Sequence, residues 1–195
     1  MFYSLPIQKA IRFAVKTHEV YQKQKRKGKD IAYITHPLIV GLILARVNAP
    51  EEVIIAGILH DTIEDSPKEK KVSYEMIEER FGKHVADMVQ SVSETGHYLT
   101  WAQKKKTARN HIAKFNEDSL LVKSADLISN GTEIIADWKR DGDKIFERFN
   151  ASKKKLLEHY IQVAAIILAK WDKNPLIQDL EVLQEELKII LQTKS

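Results

Sequence analysis

Apolar residues recur along this chain at intervals of three and four, and strand-like alternation is absent, which predicts an all-α protein. Residues 4–20 make a first helix: Ser4 can cap it, Pro6 suits its first turn, and Ile7, Ile11, Ala14, Val15 and His18 share a face. From Leu38 to Val47 the run LIVGLILARV is almost wholly apolar, so a helix opening at Pro37 should be buried against its neighbours. Asn48-Ala49-Pro50 turns the chain into another apolar helix, with Glu51 and Glu52 near its start and its last turn reaching Asp65. Two shorter helices follow, one capped by Ser73 and stopped by Gly82, the other over 83–92 with His84 outward. Residues 93–100 read as a flexible connection. Helices are then expected over 101–115, over a segment ending at Gly131, and over 134–138, with a turn at 140–143. The longest helix is expected from Phe149 to Trp171, Asn174-Pro175 breaks it, and 176–192 closes the chain. The pattern predicts a single compact domain over 1–172 with 173–195 packed on it as an amphipathic helix.

A chain of 195 residues is long enough for one domain with a substantial core. It has no cysteine, which excludes disulfides, thiolate zinc sites and cysteine nucleophiles and suits a reducing compartment. The start, MFYSLPIQKAIRF, lacks the apolar stretch of a secretory signal, and runs such as Val163 to Ala169 are too short to span a bilayer. A soluble cytoplasmic protein with no membrane partner is expected. The net charge of +4 is mild, and the lysines fall in separated clusters without an evident aromatic platform, so nucleic acid is not an expected partner. One cluster bears on function. Residues 22–32, QKQKRKGKDIA, place Lys23, Lys25, Arg26, Lys27 and Lys29 together, either as a solvated loop or as an anion-binding one in which Arg26 stacks on a base.

The strongest chemical signal is His60-Asp61-Thr62-Ile63-Glu64-Asp65, at the end of an apolar helix. Three carboxylates there face the negative end of the helix dipole and one another, which calls for a compensating cation. Asp61 pairs with Glu64 at i,i+3 and with Asp65 at i,i+4, and imidazole with carboxylates is a donor set for a divalent metal. His36 stands at the mouth of a buried helix, where it could be a further ligand. Asp126 lies in an apolar helix and shares a face with Lys123 and Asn130; an aspartate so placed needs a partner, a metal or a lysine.

Taken together, His36, His60-Asp61 and Asp126 resemble the HD superfamily of metal-dependent phosphohydrolases. AIRFAVKTHEV, QKRKGKDIAYITHP, AGILHDTIED, FGKHVADMV and LVKSADLISN are similar, in order and spacing, to the hydrolase domain of RelA/SpoT alarmone enzymes, above all their stand-alone small hydrolases. The resemblance covers residues 7 to about 170. It implies His36, His60, Asp61 and Asp126 as ligands of one divalent metal, usually manganese, and Glu64 and Asp65 as the pair that positions and deprotonates water. It also implies that Arg26 and Lys27 pack on the guanine and contact phosphate, and that Asn130 faces the ribose. Lys155 falls where the family has a phosphate-binding arginine. His159 falls where the family often has a tyrosine, and LISN departs from a larger basic and aromatic sequence. A synthetase segment after Ser195 is not expected. The implied activity is guanosine-3′,5′-bis(diphosphate) 3′-pyrophosphohydrolase, acting on a small nucleotide and releasing pyrophosphate. The alternatives are hydrolysis of another nucleotide, such as an adenosine alarmone, and a nonhydrolysing nucleotide sensor. Oligomeric state is left open.

Overall fold

The structure, a computed structural model, describes residues 4–93 and 100–193, so most of the connection expected over 93–100 lies outside the described residues. Helix α1 (Leu5–Val15) is capped by the Ser4 side chain. The chain then widens into a single π-helical turn, Lys16–Tyr21, rather than continuing as α-helix to residue 20. Helix α2 (Thr35–Arg46) and helix α3 (Glu51–Leu59) are the two apolar runs. A four-residue helix, α4 (Thr62–Asp65), follows α3 after a break. Helices α5 (Tyr74–Phe81) and α6 (Lys83–Val92) meet at Gly82, with Ser73 capping the first as expected. His84 is only partly exposed, its Nε2 being 3.0 Å from Asp118 Oδ2.

Helix α7 (Trp101–Ile112) starts with a reciprocal Thr100–Gln103 capping box. Helix α8 (Glu117–Asp141) is 25 residues long and absorbs both segments expected on either side of Gly131. Gly131 does not stop the helix. A methyl there would run into Leu183, so the bare Cα marks the place where another helix approaches. A 3₁₀ stretch, Gly142–Arg148, leads to α9 (Lys153–Lys170), which begins at its Ser152 cap and is shorter than α8. Helix α10 (Ile177–Gln192) packs on α9 and α8. Among the described residues there is no strand, only an isolated antiparallel bridge between Lys25 and Ala32. No described helix is long and apolar enough to cross a membrane.

Helices α3 and α8 form the centre. Helix α3 is enclosed by α1, α2, α6 and α8, as its apolar circumference requires, and Val53, Ala56 and Leu59 are fully buried. At the α2–α3 crossing, Gly57 faces Val40 and Leu44, and Gly41 faces Ile58. The basic loop between the π turn and α2 is fastened to the body. Lys29 and Arg148 each reach Asp137 Oδ2 at 2.5 Å, and Asp137 is 2% exposed. Gly28, at φ +70°, lies against the Arg148 side chain, where any Cβ would collide.

Because Gly57 sits where two buried helices touch, Gly57→Val should overpack the crossing. The expected loss is about 1–3 kcal/mol, read as a lower urea midpoint with unchanged m-value.

Candidate metal centre and cleft

His36 lies in the first turn of α2 and His60 just past the end of α3, both buried. His60 Nδ1 donates to the Gly57 carbonyl at 2.8 Å, which leaves its Nε2 as the outward nitrogen, available to a proton or to a cation. His36 Nδ1 is 2.9 Å from Ser129 Oγ on α8. The two Nε2 atoms stand 3.2 Å apart, the rings nearly perpendicular. Asp61 Oδ2 is 3.0 Å from His60 Nε2 and 3.7 Å from His36 Nε2; Asp126 Oδ1 is 3.8 and 3.3 Å from the same atoms. Donor atoms of His36, His60 and Asp126 all lie within 4.8 Å of one another, and Asp61 approaches from the His60 side.

The helix break makes this convergence possible. Consecutive residues of an α-helix point about 100° apart, so His60 and Asp61 could not both aim at one point from a continuous helix. Asp61 instead takes φ −94°, ψ −4°, and the helix restarts as α4. The expectation of one helix from Pro50 to Asp65 is therefore corrected, and the correction accounts for the convergence of the His60 and Asp61 side chains.

The charge balance calls for a cation. Burial alone would push the His60 pKa down, but Asp61, Asp126 and the Gly57 carbonyl outweigh it and lift it to about 9. Asp61 and Asp126 are both held well below the usual carboxylate range despite their burial, Asp61 by the imidazoles and Asp126 by Lys123 and the imidazoles. A site that draws a proton this strongly onto an imidazole accommodates a divalent ion with the same donors. Asp126 answers both readings of its partner at once: Oδ2 pairs with Lys123 Nζ at 2.8 Å, while Oδ1 faces the histidines and accepts from Asn130 at 2.7 Å.

Around this centre lies a cleft made of two adjoining cavities. One, of about 260 Å³, is lined by His60, Asp61, Glu64 and Asp126 together with Lys27, Lys105, Lys123, Trp101 and His159. The other, of about 370 Å³, is lined by Arg26, Asn130, Glu133 and Arg148 among others. Lys27, Tyr33, Asn130, Phe149 and Tyr160 line both. A larger groove of about 730 Å³ between α8 and α10 carries the ion pairs Arg46–Asp179 and Lys139–Glu186. It has no part in the His/Asp cluster.

The remaining predicted residues divide. Glu64 lines the first cavity, and Asp65 Oδ2 accepts from Gln24 at 2.9 Å. Burial and the Asp61 charge raise the Asp65 pKa, opposed by the Gln24 hydrogen bond. Arg26 is drawn onto Glu133 through Nε at 2.9 Å, bonds Asn130 Oδ1 at 2.7 Å and lies over the Tyr33 ring. Lys27 Nζ is 5.7 Å from the Phe149 ring centre. His159 is buried, and Arg109 donates to its Nδ1 at 3.0 Å. Burial and the nearby Lys105, Lys123 and Arg109 lower its pKa to about 3, so the imidazole is neutral. Lys155 is exposed and lines neither cavity.

Other residues at the site lay outside the sequence-based assignment. Tyr33, whose phenol burial and two nearby aspartates keep protonated, donates to Asp61 Oδ2 at 2.5 Å. Trp101, Lys105 and Arg109 recur every four residues along α7, a periodicity that could have singled out one face. Glu133 stands seven residues beyond Asp126, again on one helical face. Gln24 carries no comparable signal.

Comparison with known proteins agrees with this geometry. The profile of the HD domain family matches residues 10–129, more than half of the chain. A guanosine-3′,5′-bis(diphosphate) 3′-pyrophosphohydrolase of Aquifex aeolicus (strain VF5) is 39% identical over 126 residues, 64% of this chain and 17% of that protein. The bifunctional (p)ppGpp synthase/hydrolase SpoT of Escherichia coli (strain K12) is 37% identical over 92 residues, 47% of this chain and 12% of its own length. The chain thus spans less than a fifth of these curated relatives. Among solved structures, a metazoan ortholog of SpoT that hydrolyzes ppGpp aligns over 98% of this chain and 97% of its own, with a TM-score of 0.72 at 21% identity, a likeness of fold. The structure of lmo0812 from Listeria monocytogenes EGD-e aligns over 81% and 99%, with a TM-score of 0.71 at 25% identity. The two buried histidines and their aspartates thus sit in a chain that belongs to the HD domain family.

Proposed function

We propose that this protein is a metal-dependent 3′-pyrophosphohydrolase of a guanosine 3′,5′-bis(diphosphate) alarmone, releasing pyrophosphate. The observation that carries the reading is the convergence of His36, His60, Asp61 and Asp126 at the floor of a cleft with acidic, cationic and aromatic parts. In this reading those four residues hold a divalent cation, manganese by the family resemblance. Such an ion, when bound, makes water a stronger acid and offsets charge on phosphorus-bound oxygens.

The chain's own residues supply the rest. Glu64 and Asp65 are the groups that take the proton of the attacking water; the raised pKa of Asp65 makes it a better base than an ordinary surface aspartate. Lys27, Lys105 and Lys123 set positive charge along the cavity that would hold the phosphates. Neutral His159, accepting from Arg109 at Nδ1, keeps its proton on Nε2 and offers a donor without a full charge. The aromatic rings of Tyr33, Phe149 and Tyr160, with the planar Arg26, suit a base in the adjoining cavity. Water adds its hydroxyl to the phosphorus attached to the 3′-oxygen, that oxygen departs from phosphorus and gains a proton, and pyrophosphate leaves.

With manganese present, the purified protein is expected to convert a guanosine 3′,5′-bis(diphosphate) to GDP and pyrophosphate, resolved by ion chromatography. Orthophosphate as the only phosphorus product would overturn the reading. Asp126→Ala should lose bound metal, measured by elemental analysis, and turnover together. Glu64→Ala should keep its metal while kcat falls by about 10²-fold or more; a metal-free Glu64→Ala protein would contradict the assigned role. For the chelated protein, the His60 pKa lies above its unfolded value of 6.5, at about 9. That contribution to stability is fully present below about pH 6.5 and is lost as pH rises through about 9. Thermal unfolding of the chelated protein should therefore shift downward across that interval, and saturating metal should remove the shift.

A further inference from the structure

His18 has no task in the reaction as described, yet it is completely buried in the π turn beside the Tyr33 ring. Its Nδ1 lies 3.1 Å from Gln24 Oε1, and its Nε2 is buried with no hydrogen-bond partner among the described residues. On the other side, Gln24 Nε2 donates to Asp65 Oδ2 at 2.9 Å. We propose that Gln24 is a positioning residue for Asp65, and that His18 decides which way the Gln24 amide faces. The proposal rests on the hydrolytic reading given above.

The logic is one of donors and acceptors. An ionised carboxylate only accepts, so Gln24 must present its NH₂ to Asp65 and turn its carbonyl toward His18. An unprotonated Nδ1 would then set two lone pairs against each other. His18 therefore presents a proton on Nδ1 to the Gln24 carbonyl, and Nε2 is the buried atom left without a partner among the described residues. A buried acceptor without a donor is costly, and an apolar side chain in this place would avoid it. What the imidazole provides is direction: a flipped amide would aim its oxygen at Asp65 and push the carboxylate away.

The backbone holds the same arrangement. Gln24 N–H donates to the His18 carbonyl at 2.9 Å, and the Gln24 carbonyl accepts from Tyr33 N–H at 2.9 Å. Lys23, just before it, adopts φ +50°, so a left-handed residue and a π turn together bring His18 and Gln24 into line. Tyr33 in turn donates to Asp61. The entry of the basic loop thus holds Asp65 and its exit holds Asp61. A neutral amide steers the carboxylate without the full charge of a lysine, which would quench it as a base.

The test uses the metal-loaded protein and the nucleotide it consumes. Gln24→Leu is expected to lower kcat by about 10–100-fold, with KM and bound metal per chain unchanged. Gln24→Glu, similar in shape but unable to donate when ionised, should lose more. His18→Phe should lower kcat by a smaller factor, and should have no further effect once Gln24→Leu is present, because no amide is left to orient. A readout apart from turnover is ¹⁵N NMR of the metal-free protein, expected to show His18 with its proton on Nδ1. Normal kcat in Gln24→Leu, a loss confined to KM or metal content, losses of His18→Phe and Gln24→Leu that simply multiply, or a His18 Nδ1 without a proton would each overturn the positioning role. A wild-type protein that consumes no nucleotide would overturn the hydrolytic reading itself, and the positioning role with it, whereas normal turnover by Gln24→Leu would leave that reading intact.

Discussion

Two carboxylates and two imidazole nitrogens are crowded into a space largely closed to water, and the whole cleft is arranged around relieving that crowding. Lone pairs facing each other at 3.2 Å, flanked by aspartates at 3.0 and 3.3 Å, cannot persist without positive charge. In the protein alone that charge comes from a proton on an imidazole and from Lys123. A divalent ion supplies more of it from a single point. The surrounding structure keeps the donors from relaxing apart: Ser129 and Gly57 each hold an imidazole by its far nitrogen, while Tyr33 and Asn130 each hold a carboxylate oxygen.

The supports come from regions far apart in sequence, and the basic loop is the clearest case. Five cations close together suggest a solvated, mobile segment, yet Arg26 and Lys29 turn inward to Glu133 and Asp137 on α8. Much of the loop's charge is therefore spent within the protein. Lys27, Lys105 and Lys123 are the cations placed along the cavity beside the His/Asp cluster.

Much of this was legible in the sequence, for physical reasons that differ from element to element. The all-α fold follows from periodicity, and the apolar circumference of the run before His60 placed α3 in the middle of the molecule. The break at Asp61 was invisible because it serves geometry rather than composition; each of these residues tolerates a helix. Gly131 misled because a glycine needed for close helix packing looks, in one dimension, like a stop. Ser152 shortened α9 by capping it three residues after Phe149, where the helix is expected to begin. At the site, His36, His60, Asp61 and Asp126 could be assembled because each residue type was anomalous where it stood. Gln24 and Glu133 could not, since a polar residue in a basic loop or on an amphipathic helix looks unremarkable until its partner, forty or a hundred positions away, is in view.

The cleft is also built in a fixed chronological order. His36, His60 and Asp61 come from the first third of the chain and Asp126 from the middle, whereas His159 and Tyr160, which close the far wall, belong to α9. On a ribosome, where the chain emerges amino end first, these four clustered residues leave the tunnel some thirty residues ahead of that wall. All four are thus synthesised before the α9 residues that wall the cavity beside them have been added.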